Sequence, residues 1–126
     1  MRTRTALLLL TVVIGIAFVG LVWAGEQAKP PAAPKGDAKA GKAVYEKSCL
    51  MCHAKDGTGN KAMSVPAFSD PKVIKAHPTA EKWVKAITDG VKGKVMPMQA
   101  YKGKLKPEEI ANAAAYAWKF RTPKQQ

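Results

Sequence analysis

The sequence predicts an all-α fold of three to five short helices, and three observations predict it. Apolar and small residues recur at the three- and four-residue spacing of one helix face after Asp37, after Thr79 and after Pro107. Residues that start and stop helices bound those stretches, with Asp37, Thr79 and Pro107 at the starts and Gly90 at a stop. No run reads as a β-strand of any length.

A chain of 126 residues with two cysteines holds one small domain and flanking segments. Met1 to Thr5 is short and basic, and Ala6 to Trp23 is apolar apart from Thr11 and two glycines. Residues 1–24 therefore read as a signal peptide or an N-terminal membrane anchor. Val22-Trp23-Ala24 ahead of Gly25 suits cleavage. The apolar run is long for a signal core and slightly short of the roughly 20 residues of a membrane span. In either case the domain is delivered outside the cytoplasm with Arg2 and Arg4 on the inner side, and membrane attachment through residues 6–23 follows if the segment is retained. Residues 25–36, with Pro30, Pro31 and Pro34 among alanines and lysines, read as an extended linker. Residues 37–122 form the folded domain and 123–126 a polar tail. A domain of about 85 residues buries a limited apolar core by itself.

Asp37 offers its carboxylate as the cap of the first helix, in which Gly41, Val44, Tyr45, Ser48 and Cys49 share a face. Gly41 weakens a helix by about 1 kcal/mol against alanine, and its place ahead of Tyr45 suits a spot where another helix crosses closely. The helix delivers Cys49-Leu50-Met51-Cys52-His53, a C-x-x-C-H stretch, which is the attachment signature of a c-type haem. The two thiols can each add across one vinyl group of the same porphyrin, and the histidine after the second is then held under the iron as its proximal ligand. Other chemistries fit less well. A thioredoxin-type pair needs a strand–helix–strand neighbourhood that the sequence lacks. A structural zinc needs four donors and has only His77 left to recruit. A disulfide across so short a loop is tight and strained and does little to the unfolded chain.

Beyond His53, Ala54 to Lys61 is turn-rich, with glycines where the backbone bends. Met63 to Phe68 contains Pro66, and a short helical piece at Pro71–Ala76 leads to His77-Pro78, where His77 reads as a solvated loop residue. Thr79 opens a helix with Ala80, Trp83, Val84 and Ile87 on one face and Gly90 as its stop, and Trp83 is expected to pack toward the haem side. Val91 to Leu105 is a loop rich in glycine and lysine that contains Met96-Pro97-Met98. The last helix begins at Pro107, the favoured first position, with Glu108 and Glu109 at its positive end. Lys106 stands where a capping Ser or Thr is preferred, a loss of about 1 kcal/mol that predicts fraying there. Ile110, Ala113, Ala114 and Ala117 form a narrow stripe flanked by Tyr116 and Phe120.

Gly41 and Tyr45, the C-x-x-C-H stretch, Pro66, Met96-Pro97, and Pro107-Glu108-Glu109-Ile110 with Tyr116 together resemble the small monohaem class I c-type cytochromes over residues 37–121. The resemblance implies the cytochrome c fold, with the helices wrapped around one haem c bound covalently through Cys49 and Cys52 and the N- and C-terminal helices crossing. It implies His53 as proximal iron ligand, with the Pro66 carbonyl as the acceptor for that ring's other N–H. It implies Met96 as distal ligand, with Met98 as the alternative. His77 precedes a whole helix and lies outside the loop that supplies the distal sulfur. Iron ligated on both faces is built to change oxidation state rather than to activate a substrate, and thioether ligation raises its potential. The implied function is one-electron transfer between redox complexes outside the cytoplasm, in the periplasm, without enzymatic activity. One alternative is a haem-bearing subunit anchored in a larger membrane oxidoreductase complex. Another is a gas-binding or peroxidase-type haem protein, for which the sequence offers no suitably spaced distal His or Arg.

The formal net charge is +12, and its placement is informative. Lys92, Lys94, Lys102, Lys104 and Lys106 bracket Met96 with no acidic residue among them. This predicts acidic-surfaced redox partners, donor and acceptor, steered to the haem edge. Lys35, Lys39, Lys42 and Lys47 suit an ordinary solvated face. Nucleic acid is not expected as a target, since no binding motif is present and the chain is exported. The domain is expected to act as a monomer.

Overall fold

Asp37 caps the first helix, α1 (Ala38–Ser48), its carboxylate accepting from the Lys39 amide at 2.7 Å and the Ala40 amide at 3.2 Å. The computed structural model describes residues 31–93 and 97–122. Residues 1–24, expected to be a signal peptide or anchor, the first half of the expected linker, Lys94, Met96 and residues 123–126 lie outside the described residues. After α1 come α2 (Leu50–His53), a 3₁₀ turn (Lys61–Met63), α3 (Pro71–Ala76), α4 (Ala80–Asp89), α5 (Pro107–Trp118) and a final 3₁₀ turn (Lys119–Arg121). Among the described residues there is no sheet, only isolated pairings such as Asn60 with Val65 and Val91 with Met98. The architecture is all-α, as the periodicity predicts.

The crossing of α1 and α5 is the most extensive helix–helix contact among the described residues, and small residues make it possible. A Cβ at Gly41 would lie 1.9 Å from the Asn112 carbonyl oxygen, so only glycine lets the two backbones come this close. On the facing helix Ile110, Ala113, Ala114 and Ala117 are all buried. Tyr45, the largest fully buried side chain among the described residues, fills the wedge beside the crossing with Tyr116 at 5.2 Å and Phe120 at 5.8 Å between ring centroids. Burial of one such aromatic is worth roughly 1.5–3 kcal/mol, so the crossing is a main source of this domain's stability.

The packing begins ahead of Asp37. Pro34 is buried, a Cβ at Gly36 would meet the Ala111 carbonyl oxygen at 2.3 Å, and the Asp37 amide donates to Asn112 Oδ1 at 2.7 Å. The end of the segment expected to act as an extended linker therefore lies against α5. A proline can do this without stranding a donor, because its nitrogen carries no hydrogen.

The start of α5 also differs from expectation. Lys106 provides no side-chain cap, yet the Glu109 carboxylate accepts from the Lys106 amide at 2.8 Å, which is one half of a capping box. That bond, with Pro107 in the first turn, closes the end predicted to fray. The helix α4 is bounded as its sequence predicts: Thr79 Oγ1 accepts from the Lys82 amide at 3.4 Å, and Gly90 stops it at φ 76°. Its inward face carries Trp83 and Ile87, both buried.

Candidate functional site

The pentapeptide Cys49 to His53 is a single helical turn. The amides of Cys52 and His53 donate to the Cys49 carbonyl at 3.2 and 2.9 Å, and that of Ala54 to Leu50 at 2.9 Å. Because a turn returns to the same face after three or four residues, Cys49, Cys52 and His53 come together on the wall of one cavity of about 470 Å³. Trp83 and Ile87 of α4, Phe68 and Val91 complete much of the remaining, mainly apolar wall. Folded interiors are close-packed, with few voids larger than a water. A cavity of this size in so small a domain is a seat for a group the chain does not itself supply, and it falls within the roughly 300–1,000 Å³ typical of cofactor sites.

His53 stacks on Phe68, with ring centroids 4.6 Å apart and planes 24° apart. Burial holds its pKa below the ordinary histidine value, which favours the neutral imidazole that binds metals. Its Nδ1 is buried without a hydrogen-bond partner. Pro66 lines the same cavity, but the hydrogen bond expected between His53 and the Pro66 carbonyl is not made in this structure, where stacking on Phe68 orients the ring. A buried nitrogen without a partner is costly unless a ligand uses the ring. Tyr45 Oη donates to the Ala54 carbonyl at 2.8 Å, and the Gly59 amide donates to that of His53 at 3.1 Å, so the end of the turn is pinned. Burial, foremost among its causes, raises the pKa of Tyr45 and keeps it a neutral donor.

Cys49 and Cys52 are not joined to each other in a disulfide. Burial, and then the neighbouring Cys52, push the Cys49 thiol up to about 11. A redox dithiol works through a low-pKa thiolate, so this environment is unlike that of a thioredoxin-type pair. Among the described residues no three His, Cys, Asp or Glu side chains converge as a cage for a metal ion. What the chain presents instead is two thiols on one turn, a neutral histidine beside them and an apolar slot. These residues fit a covalently held haem.

The other candidates come from the loop after α4. Val91 and Met98 exchange backbone hydrogen bonds at 3.0 and 2.9 Å, and Met98, half-buried, lines the cavity. Gly93 and Pro97 line it too; Met96, which stands between them in sequence, lies outside the described residues. His77 is not the solvated loop residue its sequence context predicts. It is half-buried, lines the cavity and meets Trp83 edge to face at 6.4 Å. Trp83 itself lines the cavity, as expected. Tyr101 escaped the sequence reading altogether: it is buried, lines the cavity, and donates from Oη to the Ser48 carbonyl at 2.6 Å. The available signal was an aromatic residue alone in a loop of lysine, glycine and glutamine.

A family model described as cytochrome c oxidase, cbb3-type, subunit III matches residues 36–116. Cytochrome c-555 of Chlorobaculum tepidum is 35% identical over 81 residues, which cover 64% of this chain and 73% of that protein. The cbb3-type cytochrome c oxidase subunit FixP of Bradyrhizobium sp. is 32% identical over 80 residues, covering 64% of this chain but 26% of that subunit. The crystal structure of cytochrome CL from Methylophaga aminisulfidivorans superposes with a TM-score of 0.52 at 21% identity, covering 64% of this chain and 50% of that one. The chain thus spans about a quarter of FixP and half of that cytochrome structure.

Proposed function

The chain belongs to the cytochrome c family whose model it matches, and on that premise we propose that it is a one-electron carrier with a His/Met-ligated haem c acting between redox complexes outside the cytoplasm. Haem c bound covalently is the cofactor of this family, and electron transfer is its work. When bound, the haem supplies an iron that cycles between the ferric and ferrous states. Cys49 and Cys52 would hold that haem through two thioether bonds to its vinyl groups, and His53, on the same turn, would ligate its iron. The observation that carries this reading is the arrival of Cys49, Cys52 and His53 on one wall of the apolar cavity. The Pro66 carbonyl stays our candidate for holding His53 Nδ1 in the loaded protein, because both residues line the cavity and that nitrogen needs an acceptor.

For the distal position we propose Met96. Its described sequence neighbours Gly93 and Pro97 line the cavity, while the backbone of Met98 is fixed to Val91 in both directions. Met98 is the second reading, favoured by its own place on the cavity wall. The cavity walls are mainly apolar, which disfavours the more highly charged ferric state. Lys92, Lys102, Lys104 and Lys106 are exposed and suit partners with acidic surfaces. The similarity to part of FixP supports, as an alternative, a haem-bearing subunit of a larger complex. N-terminal sequencing of the mature protein separates this from free diffusion after cleavage.

Optical spectra of the purified chain in both redox states, followed by acid–organic extraction, test the central assignment. Colour should stay with the protein, with a low-spin spectrum and no carbon monoxide binding. Colour moving to the organic phase overturns covalent attachment.

A further inference from the structure

Behind Trp83, which lines the cavity, sits a cation with no acidic partner among the described residues. Arg121 ends the final 3₁₀ turn and is 8% exposed. Its Cζ lies 3.9 Å from the centroid of the Trp118 ring and 5.5 Å from that of Trp83, and the two indoles meet edge to face at 5.7 Å. Its Nε is buried without a hydrogen-bond partner. The ion pairs among the described residues, Lys42 with Glu46 and Lys85 with Asp89, are helix-surface pairs that do not involve it. Burying a cation is costly unless it is paired, and aromatic faces offset only part of that cost. A hydrophobic residue of similar length would fill the space between two indoles without that penalty, so the retained charge needs a use.

Only the Trp83 indole, which lines the cavity, stands between this charge and the cavity. His77 lines it, and His77 is held below the ordinary histidine range first by burial and then by the charges of Lys82 and Arg121, against an opposing hydrogen bond from the Lys82 backbone. We propose that Arg121 is a potential-setting residue: a fixed cation one indole away from the haem cavity that favours the ferrous over the ferric state by through-space electrostatics. The proposal rests on the reading of the cavity as the haem seat. Reduction adds one electron, drawn from the partner or an electrode, and lowers the charge of the centre by one; a nearby fixed cation stabilises the product of that step. In general a unit charge on the order of 10 Å from a redox centre, across an effective dielectric of about 20, changes an equilibrium about tenfold, which for one electron is about 59 mV.

The test uses the full haem-loaded chain. Redox titration of Arg121→Gln should show reduction about tenfold less favourable than in the wild type with an unchanged low-spin spectrum, and Arg121→Lys should restore most of the difference. In the ferrous protein the His77 ring resonances should titrate at higher pH in Arg121→Gln and near the wild-type value in Arg121→Lys. A shifted His77 with an unmoved potential overturns the proposal, because the charge is then present but not felt at the iron. Equal falls in both variants also overturn it, by assigning the effect to indole packing. Should Arg121→Gln fail to accumulate, Arg121→His carries the comparison: its potential should approach the wild-type value at pH 5 and fall below it at pH 8, and a constant offset overturns the idea. Failure of the underlying reading is recognised separately, by a wild-type protein without a haem c spectrum.

Discussion

Tyr101→Phe removes a single oxygen, and the structure says what that oxygen does. Oη donates to the Ser48 carbonyl at 2.6 Å across 53 positions of sequence and accepts from Gln99 Nε2 at 3.3 Å. The ring stays buried and the backbone contacts remain, the Tyr101 amide donating to Ile87 and the amides of Lys104 and Leu105 donating to the Tyr101 carbonyl. Burial, the leading cause, raises the phenol's pKa and keeps it a neutral donor. The loss is therefore one hydrogen bond and one partly buried carbonyl left short of a donor, about 1 kcal/mol net. The bond joins the methionine-bearing loop to the residue before Cys49, so its loss falls on the equilibrium between closed and open loop. About 1 kcal/mol is a fivefold change in the open population. If a loop methionine occupies the iron, an external ligand must wait for that opening, and imidazole should bind the ferric protein about fivefold faster by stopped flow. Tyr45→Phe is the control, since it loses a comparable bond to the Ala54 carbonyl at the histidine end of the turn and should leave the rate alone. An unchanged rate in Tyr101→Phe, or equal acceleration in both, refutes the reasoning.

Three further outcomes are expected. Met96→Ala should open the distal position, lower the potential and create carbon monoxide binding, whereas Met98→Ala should do little beyond local packing; reversal of the two transfers the ligand to Met98. Gly41→Ala should force α1 off α5, because the added Cβ falls 1.9 Å from the Asn112 oxygen; about 2 kcal/mol of overpacking lowers Tm by roughly 8–16 °C, read by thermal melting of the haem-loaded chain. The electron-transfer rate with an acidic partner should fall steeply as salt shortens the screening length below about 10 Å. Lys92→Glu with Lys102→Glu should flatten that dependence while Lys39→Glu with Lys42→Glu should not, since Lys42 already lies 3.7 Å from Glu46.

What could be read from the sequence was local. The bounds of α3 and α4 follow from Pro71, Thr79 and Gly90, because caps and stops are properties of a few adjacent residues. The crossing at Gly41 was legible because a glycine four residues before a buried tyrosine, opposite an alanine stripe, admits few other uses. The carboxylate that closes α5 was legible in principle, as Glu109 stands three after Lys106, where half a capping box can form without any side-chain cap. The remainder depends on distant pairings. Arg121 stands near the end of the domain with no local pattern to mark it as buried until the final 3₁₀ turn sets it against Trp83 and Trp118. His77 looks solvated until α4 turns it toward the cavity. The burial of Pro34 is a consequence of where α5 lies, which no pattern within residues 25–36 contains.

The two buried tyrosines share a logic. The attachment turn α2 is four residues long, far below the length at which a helix is stable alone, and the chemistry asks it to hold two thiols and an imidazole in fixed relation. Its own hydrogen bonds are too few for that. Tyr101 takes the carbonyl of Ser48, just before Cys49, and Tyr45 takes that of Ala54, just after His53. One clamp comes from the loop proposed to carry the distal ligand and the other from the helix that crosses α5, so both ends of the turn are tied to the fold's long-range contacts. A site tied in this way rearranges little when the charge at its centre changes by one, which suits electron transfer. It also means that loosening the loop and loosening the turn are coupled through the Ser48 carbonyl, the one point at which the distal loop grips the attachment turn through a side-chain hydrogen bond among the described residues.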